Sequence, residues 1–128
     1  MQYIDTSAAY KLVIEEPESQ ALSAYLDKHF TETTLVASML LHTELHCAVA
    51  RSAQVNPDSV QDVLDSVTLV DVKRHDFIRA VSSLWGLRSS DALHLATAVR
   101  LGVEEMITYD REMAAAAERI GIRVVAPA

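Results

Sequence analysis

Short, densely apolar runs alternate along the chain with longer stretches in which apolar residues recur every third or fourth position. The short runs MQYID (1–5), TLVAS (34–38), TLVDV (68–72), EMITYD (105–110) and IRVVA (122–126) predict strands. The longer stretches predict helices over 6–16, 18–30, 40–53, 56–67, 74–85, 89–101 and 111–120. Residue type marks several ends: Thr6 or Ser7 near the first N-cap, Pro17 as a stop, and Asn56 capping a helix that opens with Pro57. Ser89 or Ser90 is expected to cap the sixth helix, which Gly102 closes, and Gly121 closes the last. Ala92, Leu93, Leu95, Ala96, Ala98 and Val99 make that sixth helix apolar around most of its circumference, so it should be largely buried. Strands separated by helices imply a parallel sheet covered on both faces, a three-layer α/β/α fold.

Composition narrows this to one domain over residues 1–128: the length suffices for a core, and three glycines and three prolines leave no linker. The first residues show no basic stretch leading into an apolar one, and no run of about 18 apolar residues occurs, so a soluble cytoplasmic protein without a membrane segment is expected. The lone Cys47 excludes an internal disulfide and a cysteine zinc cage, and is expected to be a small buried hydrophobe. Acidic residues outnumber basic ones 18 to 11, for a net charge of −7. That balance counts against tight binding to a polyanion and fits a protein that holds cations or meets a basic partner.

Four carboxylates change the picture. Asp5 and Asp110 follow the apolar parts of the first and fourth strands, at the carboxyl edge where open parallel sheets bind ligands. Either could instead simply cap the next helix. Glu44 falls in one arc of its helix with Leu40, Leu41 and Ala48, so it needs a partner, a core Arg or Lys on the bland reading. Asp91 sits in the first turn of the apolar sixth helix, where it could merely complement the helix dipole. If all four converge on one edge they repel, and a divalent cation relieves the conflict; oxygen ligands favour Mg²⁺ or Mn²⁺ over zinc.

Taken in order, YIDTSA, TELH, SSDALHLATA and ITYDREM resemble the PIN domain, and more narrowly the VapC-type toxin ribonucleases of toxin–antitoxin pairs, over essentially the whole chain. The resemblance implies a parallel sheet in the order 3-2-1-4-5 and an Mg²⁺- or Mn²⁺-binding quartet of Asp5, Glu44, Asp91 and Asp110. Thr6, Ser7 and Thr108 match the family's supporting hydroxyl residues. Ser90 stands where relatives often carry Leu or Ala before the Asp, which leaves the metal site unaffected in principle. The implied activity is endoribonuclease cleavage to a 5′-phosphate and a 3′-hydroxyl, with Asp5 and Asp91 as principal metal ligands and Glu44 and Asp110 completing the site. Also implied are an RNA substrate, a VapB-type antitoxin that inserts an Arg or similar side chain, and a homodimer, for which 18–30 and 40–50 offer apolar faces. Arg88, Arg111 and Lys11 are candidates for a basic rim that contacts RNA.

Other constellations carry less. His42 and His46 lie one turn apart but roughly opposite Glu44, and HTELH is not the HExxH of zinc proteases. His94, one turn after Asp91, reads as a hydrogen-bonded core or rim residue, and Trp85 and Tyr109 as packing residues. There is no glycine-rich phosphate loop. IDTSA lacks the second Asp of an aspartyl-phosphate phosphatase, and the His-Asp of "RHD" lacks the further ligands of its all-helical class. Two rivals remain: a PIN-fold RNA- or protein-binding module without catalysis, and a receiver-type signalling domain. The second lacks paired acids after strand one and a Lys after the last strand.

Overall fold

The computed structural model describes residues 1–52 and 55–128; the last residue of the expected helix 40–53 lies outside them. Five strands, β1 (Gln2–Ile4), β2 (Leu35–Ser38), β3 (Thr68–Val70), β4 (Glu105–Ile107) and β5 (Arg123–Val125), form one sheet in the order β3-β2-β1-β4-β5. Every pairing is parallel. Seven helices cover it: α1 (Thr6–Tyr10), α2 (Ser19–His29), α3 (Leu40–Ala50), α4 (Pro57–Asp65), α5 (Arg74–Ser82), α6 (Ser89–Leu101) and α7 (Arg111–Arg119). The fold class and strand order are those expected from the sequence.

Central strands are apolar because helices shield both faces. Tyr3, Ile4, Ala37, Met106 and Ile107 are fully buried, as are Leu41, Leu45 and Leu95 on the covering helices. Each large apolar side chain so removed from water contributes about 1.5–3 kcal/mol. Helix α6 buries Ala92, His94, Leu95, Ala96, Thr97 and Ala98, as its apolar circumference requires. Gly102 ends it at φ 69, a left-handed geometry that glycine adopts without strain.

The differences from expectation lie at element ends. Helix α1 stops at Tyr10 rather than residue 16, because the Ser19 hydroxyl lies 2.7 Å from the Lys11 carbonyl and 3.1 Å from that of Ile14. It thus takes up acceptors that a continuing helix would have used. The N-cap of α1 is Asp5, not Thr6 or Ser7, and that of α6 is Arg88 without a side-chain bond, not Ser89 or Ser90. Asn56 does cap α4 ahead of Pro57, accepting from the Asp58 N–H at 2.9 Å. Helix α5 ends three residues early, where Leu84 (φ 55) and Gly86 (φ 75) turn the chain left-handed. Cys47 is exposed rather than buried, since the inward stripe of α3 is Leu41, Leu45 and Val49.

One buried ion pair fixes α5 against α6. Arg100 Nε donates to both oxygens of Asp76, at 2.9 and 3.1 Å, and its Nη2 donates to the Asp71 carbonyl at 2.9 Å. Asp76, fully buried, also accepts the Lys73 N–H. Burial pushes its carboxyl up, but the Arg100 guanidinium outweighs that and holds it below the usual range.

Candidate active site

Register builds the site. Ile4 of β1 pairs with Ile107 of β4, so the next residues, Asp5 and Thr108, leave the sheet side by side at its carboxyl edge. Thr108 Oγ1 donates to Asp5 Oδ2 at 2.5 Å; Oδ1 accepts the Ser7 hydroxyl at 2.7 Å and the Ala8 N–H at 3.1 Å. Ser7 Oγ in turn accepts the Tyr109 N–H at 3.0 Å, and Thr108 Oγ1 the Asp110 N–H at 3.1 Å. Asp110 caps α7 by accepting from the Met113 N–H. Capping is therefore part of what both aspartates do, and it orients them rather than accounting for where they stand.

Glu44 differs from its expected setting. The inward stripe of α3 runs through Leu41, Leu45 and Val49, so Glu44 lies at its border, half-buried. Its partner is neither Arg nor Lys: Oε1 lies 2.5 Å from His94 Nε2 and accepts the Thr6 hydroxyl at 3.0 Å. The two hydroxyl residues of α1 thus serve different acids, Ser7 holding Asp5 and Thr6 holding Glu44.

Asp91, in the first turn of α6, faces the remaining acids. Burial raises its carboxyl above the ordinary range, and the charges of Asp110, Asp5 and Glu44 raise it further. Asp5 is raised too, by burial, against the pull of the Thr108 and Ser7 hydroxyls. For Glu44 burial acts upward, while the hydrogen bonds from His94 and Thr6 act downward. Among the described residues no Lys or Arg forms an ion pair with any of the four. Asp91 thus feels the charge of the other three acids, with no basic side chain paired to any of them among the described residues.

Asp91 and Asp110 line an open cavity of about 310 Å³ together with Arg88, Arg111 and Glu112. Arg88 and Arg111 stand at its exposed rim. Lys11 does not: it pairs with Glu18 at 2.8 Å and Glu16 at 3.4 Å, and lies 4.8 Å over the Tyr109 ring. A larger hollow, about 440 Å³, opens at the other end of the sheet, where Gln2, Leu35 and Thr68 start their strands. Leu12, Leu26 and Phe30 line it, so size alone points away from the titratable cluster.

Which cation could such donors hold? All four acids offer hard oxygen, which suits Mg²⁺ or Mn²⁺. Among the described residues no three acids, histidines or cysteines close into a ready cage. The residues missed by sequence are Glu112 at the cavity and Tyr3 behind Glu44, whereas His94 is the hydrogen-bonded core residue expected, with Glu44 as its partner. His94 stands three residues after Asp91, on the same helix face, which was the available signal.

Comparison with known proteins gives the family. Residues 2–119 match the PIN domain family. The chain is 38% identical to Ribonuclease VapC46 of Mycobacterium tuberculosis over 98% of its own length and 96% of that protein's. It is 35% identical to Ribonuclease VapC35 of the same species, over 99% and 97%. A toxin–antitoxin complex from Klebsiella pneumoniae has a chain that superposes with a TM-score of 0.73 at 20% identity, covering 100% of this chain and 98% of that one. VapBC2 from Rickettsia felis, bound to a DNA fragment from its promoter, gives 0.73 at 16% identity with both chains fully covered. Fold, full-length sequence similarity and the order of the four motifs converge: the chain belongs to the PIN domain family, in its VapC branch.

Proposed function

We propose that this chain is the toxin of a VapBC-type pair, an endoribonuclease that hydrolyses RNA phosphodiester bonds with Mg²⁺ or Mn²⁺ at Asp5, Asp91, Asp110 and Glu44. One observation carries the reading: Asp91 sits against three other carboxylates, and none of the four is paired with Lys or Arg among the described residues. Unrelieved, such a cluster costs stability; a cation offsets it. When bound, the ion lowers the pKa of a water and neutralises charge on the phosphoryl oxygens. The chain's own residues do the positioning. Thr108, Ser7 and the Ala8 N–H fix Asp5, His94 and Thr6 fix Glu44, and the Met113 N–H fixes Asp110. Arg88 and Arg111, at the cavity rim, contact the RNA backbone, while Lys11 is committed to Glu16 and Glu18.

An acidic cavity of this kind also receives a guanidinium, so a VapB-type antitoxin blocks it with an Arg. For a homodimer, exposed apolar surface is offered by Phe77, Ile78, Val81 and Leu84 of α5 and its C-terminal turn, all more than half exposed, and by Phe30 at the end of α2, within the expected stretch 18–30. Phe77 and Val81 lie one turn apart on one face of α5, and we place the second copy there.

The function is tested by incubating the purified chain with synthetic RNA, with added Mg²⁺ or Mn²⁺ and with EDTA, and mapping both ends of every fragment. Metal-dependent cuts leaving 5′-phosphate and 3′-hydroxyl ends are expected. RNA or protein binding with no cut under any ion favours the non-catalytic module. No helix among the described residues is long and apolar enough to cross a membrane, which fits action on RNA in the cytoplasm.

A further inference from the structure

Behind Glu44 runs a hydrogen-bond chain whose direction the atoms themselves dictate. The Ser38 backbone N–H, at the end of β2, lies 2.9 Å from the Tyr3 hydroxyl and can only donate to it. The Tyr3 hydroxyl lies 2.6 Å from His94 Nδ1, and its single proton has no other acceptor among the described residues. Tyr3 is fully buried, which raises its hydroxyl's pKa and keeps it protonated. Tyr3 therefore accepts from Ser38 and donates to Nδ1. Nδ1 must then be bare, the ring proton sits on Nε2, and Nε2–H donates to Glu44 Oε1 at 2.5 Å. His94 itself is 1% exposed, so no water competes for either ring nitrogen.

We infer that His94 is a positioning residue, a neutral imidazole locked by Tyr3 into the Nε2–H tautomer so that it holds the Glu44 carboxylate in place for a divalent cation. Three elements meet in this device: β1 through Tyr3, α6 through His94 and α3 through Glu44. Asp91 and His94 lie on one face of the same helix, so one rigid element sets two of the four acids, one directly and one through the ring. The Thr6 hydroxyl falls on the same oxygen, Oε1, and thereby fixes Glu44 from α1 as well. A doubly protonated ring fits less well. It would turn Nδ1–H toward a hydroxyl that already accepts from Ser38, and leave the buried Tyr3 proton with no partner. This inference rests on the cation reading above, but its geometry does not.

The test combines a spectrum of the unaltered protein with cation titrations of variants. Long-range ¹H–¹⁵N correlation of the His94 ring in the full chain should show a bare Nδ1 and a protonated Nε2. A proton on Nδ1 overturns the proposal. Mn²⁺ uptake, followed by the loss of the free-ion electron paramagnetic resonance signal, then compares His94→Gln with His94→Asn. Glutamine places its amide near the former Nε2 and can still donate to Glu44; asparagine reaches only the Tyr3 side. His94→Asn should weaken Mn²⁺ binding about 10- to 100-fold, the usual cost of losing a partner that orients a ligand, while His94→Gln restores most of it. In a Glu44→Gln background the same His94→Asn change should cost nothing further, because its effect passes through Glu44. An equal cost in both backgrounds, or wild-type affinity in His94→Asn, overturns the proposal. If His94→Asn fails to fold, the wild-type ring spectrum decides alone. A wild-type chain that takes up no Mn²⁺ is a different failure: it removes the cation reading itself and this inference with it.

Discussion

Two groups of buried or half-buried acids in this chain are satisfied in opposite ways. Asp76 meets Arg100 through two hydrogen bonds and a third from the Lys73 N–H, so its charge is cancelled where it stands. Asp5, Asp110 and Glu44 receive hydroxyl, amide and imidazole donors, and among the described residues neither they nor Asp91 pair with a guanidinium or ammonium. The first arrangement is closed and welds α5 to α6. The second orients carboxylates while leaving their charge to be neutralised from outside. Hydrogen bonding and charge balance are separate requirements, and a site for a cation meets one without the other.

Substitution in the open cluster should produce the largest change. Asp5→Asn or Asp91→Asn keeps size and most hydrogen bonds but removes a charged oxygen ligand, worth several kcal/mol of transition-state stabilisation. Cleavage of a synthetic RNA under Mg²⁺ should fall about a thousand-fold, with each tenfold corresponding to about 1.4 kcal/mol. Wild-type rates in both variants contradict the assignment. Asp76→Asn should do the reverse. It leaves the Arg100 charge unpaired and costs on the order of 3 kcal/mol in urea unfolding, with cleavage per folded molecule unchanged.

Acid and base sharpen the same contrast. Asp76 is held below the ordinary carboxylate range, so the stability it supplies is present above it and is lost as pH falls through its lowered value. Asp5 and Asp91 are raised, so they bind protons more tightly when folded, and stability falls as pH rises from the ordinary range through their raised values. Metal-free Asp91→Asn should therefore melt a few degrees higher than wild type at neutral pH, and equally with it at pH 3, in calorimetry. Added Mn²⁺ should raise the wild-type midpoint and leave that of the variant almost unmoved. The smallest effect belongs to the rim. Replacing both Arg88 and Arg111 by Ala should raise KM for RNA several-fold, lower the salt dependence of binding by about two phosphate contacts, and leave kcat nearly constant. An unchanged salt slope places those side chains outside the RNA interface.

How much of this could be read from the chain follows from what each feature depends on. The alternation of strand and helix and the placing of Asp5 and Asp110 past strand ends rest on local pattern, the strand order on the motif resemblance, and the structure has all three. Ends were harder. The hydroxyl of Ser19 donates to the Lys11 carbonyl, just past the end of α1, from eight residues away in sequence, and a propensity argument contains no such distant donor. Glu44 was placed on the inward stripe of α3, but the stripe is centred on Leu45, one 100° step round. Its histidine partner is 50 residues distant and joins it only once α3 and α6 pack on the same sheet. A core base of the kind weighed for Glu44 does exist, Arg100, but α5 supplies a different acid for it.

Anomalous diffraction from crystals soaked in Mn²⁺ addresses the central claim most directly. A manganese peak bonded to Asp5 or Asp91 at the carboxyl edge of β1, and absent from Asp91→Asn crystals, is the predicted result. Wild-type crystals with no manganese among these four side chains, at concentrations that support cleavage, contradict it.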